Sequence, residues 1–180
     1  LGTCHKRRGS IGFKDSEKPP AGLDFNLWTG PAENEKFHKN LVHYNWHWFW
    51  KYGNGDIGNQ GVHQMDIARW MIPGARWPKS VVSVGGRFGY EDQGETANTQ
   101  LSIFDYGESL LVFDVRGLSG KTNMGVSNKV YFDKNASQKT SKSYELDGVK
   151  NPLADRGKGD IFENFIMAVR SRKTEDLNAH

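Results

Sequence analysis

The chain is short of the features that mark several large classes of protein. Its 180 residues include one cysteine, Cys4, so no disulfide can form within the chain. No apolar run approaches the roughly 20 residues that a membrane-spanning helix needs. The formal net charge is only +3, and the basic residues do not form the clustered face of a nucleic-acid binder. We therefore expect neither a nucleic-acid partner nor a membrane partner.

Several catalytic motifs are missing as well. No glycine-rich GxGxxG turn stands between a strand and a helix, and there is no Walker loop or nucleophile elbow. His43 and His47 have the i, i+4 spacing of a metal pair. The glutamate of an HExxH motif and a cysteine cluster are both lacking, however, so we expect no metal site.

The composition favours a folded domain, because aromatic residues make up 12% of the chain and disordered chains are poor in them. The length suits one domain, residues 1–180, with a real core. The first residue is not Met, and the last residues follow a helical pattern directly. We interpret the chain as a domain of a longer protein.

Hydrophobic periodicity predicts both helices and strands. Apolar residues recur at helical spacing over residues 58–71 and Asp160–Arg170. Strand patterns occupy five segments: Ser80–Phe88, Thr99–Phe104, Leu110–Val115, Val130–Phe132 and Ser143–Leu146. Asp105–Glu108 reads as a hairpin turn. The expected fold class is α+β, an open, mostly antiparallel sheet with helices on one face and the other face free for a partner.

Residues 9–40 contain three prolines and predict a long, irregular excursion. Its apolar residues predict that it is pinned to a surface; these are Leu23, Phe25, Leu27 and Trp28.

The aromatic block that follows is the most informative stretch. Trp46, Trp48 and Trp50 alternate, which in an extended segment would place them on one side and His47 and Phe49 on the other. Exposed rings would suit stacking on a sugar, but packing in the core explains most of these tryptophans at least as well.

Asn59 and His63 are four residues apart, so a helix places them on one face. His63 could exchange a proton with a substrate hydroxyl, and Asp66 could orient its ring. The alternative is a partly buried histidine that satisfies a backbone carbonyl. Lys6, Arg7 and Arg8 could similarly bind a phosphate or carboxylate, or could be a solvated surface run.

Four segments carry a family resemblance. They are HKRRGSIG at His5–Gly12, PAGLDFNLWTGPA at Pro20–Ala32, the NWHWFWKYGNGDIGNQGVHQMDIARW block at Asn45–Trp70, and SVGGRFGYEDQGETANTQ at Ser83–Gln100. With these segments and the closing helix pattern, the chain resembles the C-terminal α/β domain of Gfo/Idh/MocA-type oxidoreductases, the glucose–fructose oxidoreductase and inositol dehydrogenase superfamily, in its bacterial branch.

The resemblance implies a second, N-terminal Rossmann domain that binds NAD or NADP and is absent from this chain. In the family a Glu-Lys-Pro motif of that domain supplies a catalytic lysine. Glu17-Lys18-Pro19 falls inside the present domain, so that role is not carried over to Lys18. The family's D-x-x-x-H motif places its acid/base at His63, with Asn59 at the aspartate position.

The implied function is the substrate-binding part of an NAD(P)-dependent oxidoreductase acting on a sugar, cyclitol or glycoside hydroxyl. Six further residues would contact the substrate: Trp46, Trp48, Lys6, Arg7, Arg8 and Asp66. Two alternatives are an NAD-retaining, glycoside-cleaving enzyme and a non-catalytic carbohydrate-binding or oligomerisation module. We expect the chain to form a homo-oligomer through the open sheet face. We also expect the isolated fragment to be inactive. The protein is expected either in the periplasm, after export by a twin-arginine signal, or in the cytoplasm.

Overall fold

A computed structural model of the chain describes residues 1–72, 74–118, 120, 125–131, 139–140 and 160–173. The chain divides into two compact units, Leu1–Ser141 and Lys142–His180. In the described part of the second unit, one amphipathic helix runs over Ile161–Ser171. Its N-cap is Asp160, whose carboxylate accepts from two backbone amides, as the sequence pattern predicts for a helix start.

The first unit is built on a mixed open sheet. Its strands are β1 (Gly2–Cys4), β2 (Ser80–Gly86), β3 (Thr99–Asp105), β4 (Leu110–Arg116), β5 (Val126–Val130) and β6 (Lys139–Thr140). They stand in the order β2-β3-β4-β1-β5-β6. Only the β1–β4 pair is parallel. The expected α+β fold with a mostly antiparallel sheet is confirmed.

The helices of the first unit are short and lie mostly before the sheet in sequence. They are α1 (Phe25–Thr29), a 3-10 helix (Asn45–Trp48), α2 (Asp56–Asn59) and α3 (Gly61–Trp70), so the helix of the second unit is α4. The helix predicted at 58–71 therefore begins earlier, at Asp56, and is divided at Gln60. Among the described residues, no helix combines the length and apolar character that a membrane crossing requires.

Helix α3 packs against β1, β4 and β5 and buries one face of the sheet. Leu111, Phe113 and Val115 of β4 point to this face, where they form a core with Cys4 and Ala68. The alternate residues of the strands lie on the opposite face, and there Val82 and Val84 are 62% and 63% exposed. The helices described in this unit thus leave one sheet face open.

A second apolar cluster forms beneath the excursion. Leu41, Trp48 and Phe49 are buried, and Phe25 and Trp28 pack against them. The prediction that apolar residues pin the excursion is confirmed for these two aromatic residues. Leu27 is 78% exposed and does not take part.

Candidate functional site

Two glycines bring the aromatic block and helix α2 together. Gly55 has a φ of 71°, and a side chain there would meet Thr96 at 2.9 Å; its amide donates to the His47 carbonyl at 2.8 Å. At Gly53 a β-carbon would lie 2.6 Å from the His47 Cα. The turn therefore wraps directly around the His47 backbone, which only glycine permits.

The first residue of α2 forms a buried ion pair with the N-terminal segment. Arg8 Nε donates to Asp56 Oδ2 at 2.8 Å, and Arg8 Nη2 donates to Oδ1 at 2.5 Å. The Arg8 side chain is 10% exposed and that of Asp56 is 0% exposed. Arg8 Nη1 also donates to the Tyr44 hydroxyl at 3.1 Å. One guanidinium thus joins the start of the aromatic block to the start of the helix.

A second buried pair repeats this arrangement near the Trp48 ring. Arg87 Nε and Nη2 donate to the two carboxylate oxygens of Asp92 at 2.6 and 2.8 Å. This guanidinium, together with the Ile11 amide, holds the pKa of Asp92 below its usual value despite the burial that acts against it. Arg87 lies 4.8 Å from the Trp48 ring centroid, and Arg8 lies 5.7 Å from it. We call these five residues the arginine–tryptophan cluster: Arg8, Trp48, Asp56, Arg87 and Asp92.

His47 lies buried beside this cluster. Its side chain is enclosed by the Tyr44, Trp46 and Trp48 rings, and its Nδ1 lies 2.8 Å from the Tyr44 carbonyl. Because a carbonyl only accepts, Nδ1 carries the proton and Nε2 is an acceptor. Burial lowers the pKa of His47, so the neutral ring is the stable form.

The aromatic block does not form the extended strip that alternation predicts. Residues Asn45–Trp48 form a 3-10 helix, with Trp48 and Phe49 buried at 3% and 6% exposure. Trp46 and Trp50 are exposed at 36% and 61%. The prediction of three tryptophans on one side was wrong, because a 3-10 turn rotates successive side chains by about a third of a turn.

Asn59 and His63 do not lie on one helix as expected, because Asn59 ends α2 and His63 belongs to α3. Both residues are exposed, and neither side chain has a hydrogen-bond partner in the part of the chain that the structure describes. Asp66 contacts Arg69 Nη2 at 3.4 Å and does not bond to His63. The interpretation of His63 as a buried histidine that satisfies a carbonyl is therefore wrong.

The three basic residues of Lys6–Arg8 differ in their exposure to solvent. Lys6 and Arg7 are exposed, whereas Arg8 is committed to Asp56 and Tyr44. Trp48 is likewise buried, at 3% exposure, with the Arg8 and Arg87 guanidinium groups near its ring. Arg8 and Trp48 therefore lie behind the surface, which corrects the expectation that they contact a substrate directly.

Sequence reasoning missed Arg87 and Asp92 altogether. The available signal was an arginine five residues before an aspartate in a turn that contains Gly89. Nothing in that spacing indicates the Trp48 ring, which lies 39 positions earlier than Arg87.

The described residues do not fit a bound metal or dinucleotide. No group of three His, Cys, Asp or Glu side chains among them could hold a metal ion. No strand in the described ranges passes through a glycine-rich turn directly into a helix, the unit that binds a dinucleotide pyrophosphate.

Comparison with known proteins gives one match. The model of the oxidoreductase family, C-terminal alpha/beta domain, matches residues 9–103, which is more than half of the 180 residues. The matched range contains the arginine–tryptophan cluster except Arg8, and it also contains Asn59 and His63. No curated protein and no solved structure matches the chain. Because the match spans more than half of the chain, the chain belongs to the Gfo/Idh/MocA oxidoreductase family, as its C-terminal alpha/beta domain.

Proposed function

We propose that this domain supplies the substrate wall and the acid/base group of an NAD(P)-dependent oxidoreductase that acts on a hydroxyl of a sugar, cyclitol or glycoside. The observation that carries the proposal is that Asn59, at the end of α2, and His63, in α3, are both exposed and have no side-chain partner among the described residues. The charged groups at the start of α2, Asp56 and Arg8, are buried and paired with each other. Asn59 and His63, by contrast, are available to a ligand.

The fixed base of α2 gives this pair a defined position. Asp56 is the first residue of α2, and its two bonds to Arg8 tie that helix end to the N-terminal segment. His63 lies in the first turn of α3, four residues beyond Asn59. Preorganised groups on a rigid element catalyse better than groups on a mobile loop.

The chemistry requires one proton acceptor and one orienting group. As a secondary hydroxyl becomes a carbonyl, its proton passes to the His63 imidazole and its carbon loses a hydride. A nicotinamide bound by another domain would supply the acceptor for that hydride. The Asn59 amide can bond to the hydroxyl and orient it, but it cannot take the proton at neutral pH.

Exposed residues around the helix start would recognise the rest of the substrate. Trp46 offers a partly exposed ring for the apolar face of a sugar. Lys6 and Arg7 would lie at the rim, and Asp66, one turn beyond His63, would accept from a second hydroxyl. Arg8 and Trp48 would support this wall from behind.

The test is His63→Ala in the protein that joins this domain to its dinucleotide-binding domain. We expect kcat to fall by about 10²–10⁴, the usual contribution of a general acid/base. His43→Ala is the matched control, since His43 is also exposed but lies before the aromatic block. A loss smaller than about threefold for His63→Ala, or an equal loss for both variants, would reject the assigned role.

Asn59 favours a second candidate, a glycoside-cleaving enzyme that keeps its NAD through transient oxidation, elimination and re-reduction. The family motif has an aspartate at this position, whereas the Asn59 amide cannot take a proton at neutral pH. Release of sugar from a glycoside without accumulation of NADH would support this candidate. Stoichiometric NADH would exclude it, and carbohydrate binding without turnover would instead support a non-catalytic module.

We also propose that the open sheet face joins copies of this chain. Val82 and Val84 are largely exposed, and Leu101 beside them is 37% exposed. Such contiguous apolar surface is typical of interaction sites. Val82→Lys with Val84→Lys should lower the molar mass in size-exclusion chromatography with light scattering. A monomeric wild type, or an unchanged mass for the variant, would contradict this proposal.

A further inference from the structure

A cavity of about 260 Å³ lies in the irregular excursion before the aromatic block. None of its lining residues belongs to the candidate active site. Its apolar lining comes from Pro20, Leu23, Phe37 and Val42. This volume accommodates a compact organic molecule of roughly ten non-hydrogen atoms.

The apolar lining is held by backbone hydrogen bonds. The Glu17 amide donates to the Phe37 carbonyl at 2.9 Å, which joins the two arms of the excursion across the cavity. The Leu23 amide donates to the Pro20 carbonyl at 3.1 Å and closes a turn. Phe37 is 5% exposed and packs edge-on against Phe25, with ring centroids 5.2 Å apart. The cavity is therefore part of the ordered fold.

The remaining lining residues are charged or titratable, and positive charge predominates. They are Glu17, Lys18, Lys39 and His43. Lys39 Nζ lies 3.3 Å from Glu17 Oε1, but these side chains are 69% and 40% exposed, so the pair is weak. An incoming anion can recruit Lys39 at low cost. Lys18 and His43 have no side-chain partner in the described ranges and add two further donors.

We propose that this cavity binds a small organic carboxylate with an apolar body. The apolar lining takes the body, and the ammonium groups of Lys18 and Lys39 take the carboxylate by charge-assisted hydrogen bonds. An inorganic anion would lose hydration against the apolar lining without compensation. An uncharged compound would not form the charge-assisted hydrogen bonds to the ammonium groups. This inference does not depend on the proposed function.

The first experiment needs no variant. The full chain, labelled with ¹⁵N, is titrated with phenylacetate, phenylacetamide and inorganic phosphate, and backbone amide shifts are followed by NMR. We expect phenylacetate to shift amides within 17–23 and 37–43, with a Kd on the order of 1 mM, as small ligands allow. Phenylacetamide should bind roughly tenfold more weakly, and phosphate should cause no saturable shift.

Paired variants then test the ammonium groups. Lys18→Gln with Lys39→Gln should weaken phenylacetate binding roughly tenfold and remove the preference over the amide. Lys36→Gln is the matched control, because Lys36 is exposed in the same excursion and outside the cavity lining. The proposal is overturned if acid and amide bind equally, if phosphate binds as well as phenylacetate, if the shifts lie elsewhere, or if both variants lose the same affinity.

Discussion

The two sides of the α2–α3 helix pair differ sharply in how their polar groups are satisfied. On the buried side, Asp56 and Arg8 have 0% and 10% exposed side chains and are joined by two hydrogen bonds. On the open side, Asn59 and His63 are exposed and lack side-chain partners among the described residues. Buried charge without a partner is costly, whereas exposed polar groups are solvated by water. The buried side can therefore fix the geometry while the open side stays available for chemistry.

The largest effect on folding should come from breaking the buried side. Asp56→Ala leaves the Arg8 guanidinium buried with only the Tyr44 hydroxyl, and the free energy of unfolding should fall by about 3–5 kcal/mol. Asp66→Ala is the control, because it breaks an exposed contact and should change that energy by less than about 1 kcal/mol. Urea denaturation measures both. A cost below about 1 kcal/mol for Asp56→Ala would show that the cluster does not hold the helix.

A smaller effect should follow from changing the packing between α3 and the sheet. A β-carbon at Gly61 would lie 2.7 Å from Phe113 Cε1 and 2.9 Å from Met65 Cε. Gly61→Ala should therefore destabilise the fold by about 1–3 kcal/mol, although alanine favours helix. Val62→Ala, on the exposed side, should stay within about 0.5 kcal/mol. Equal unfolding midpoints in urea for the two variants would contradict this packing.

Stability should also depend on pH through the buried histidines. Burial lowers the pKa of His47 and of His38 from the usual 6.5. Their neutral forms are therefore kept in the folded state, and the stability they contribute is present above pH 6.5. As pH falls from 6.5 towards the lowered pKa values of the folded state, the unfolded chain binds more protons than the folded chain. The free energy of unfolding therefore declines. The slope is at most about 1.4 kcal/mol per pH unit for each histidine.

Urea denaturation between pH 7 and pH 5 measures this slope. His47→Gln should make it shallower, since His47 would then no longer contribute to the difference in proton binding between the two states. The comparison uses the slope, because the substitution itself changes the stability at every pH. An unchanged or steeper slope would contradict the neutral, buried state of His47.

The smallest effect on stability should come from the open side. His63→Ala and Asn59→Ala each remove an exposed, unpartnered side chain, so the free energy of unfolding should change by less than about 0.5 kcal/mol. Urea denaturation of these two variants and of Asp56→Ala compares the free energy of unfolding that each side of the α2–α3 pair contributes. A loss above about 1 kcal/mol for His63→Ala would mean that this residue supports the fold.

Most of the sheet could be predicted from local pattern. Alternation over 80–116 predicts β2, β3 and β4 to within one or two residues, and Tyr106 closes the predicted hairpin by donating to the Ser109 carbonyl. The strand predicted at Val130–Phe132 instead ends at Val130 and begins at Val126. The strand predicted at Ser143–Leu146 lies outside the described residues. Strand β1 was not predicted, since three residues are too few to carry a periodicity.

The candidate site divides in the same way. The sequence pattern predicts that Asn59 and His63 are helical, but it does not predict that the helix is divided at Gln60 between them. The Arg8–Asp56 pair joins residues 48 positions apart, and a single sequence does not indicate such a pairing. For this reason the sequence predicts that Arg8 is exposed together with Lys6 and Arg7, although its guanidinium is buried. Trp48 is misplaced for a related reason, because its partners Arg8 and Arg87 are distant in sequence.

The central position of β1 has a consequence for the order of folding events. Gly2 pairs with Phe113 and Asn128, so β1, the first of the six described strands to be made, has no partner until more than a hundred further residues have been made. Pairings so distant in sequence slow folding. Until β1 is in place, β4 and β5 each expose a free edge that another nascent chain can join. The pairing of β1 with both strands therefore covers two edges at once.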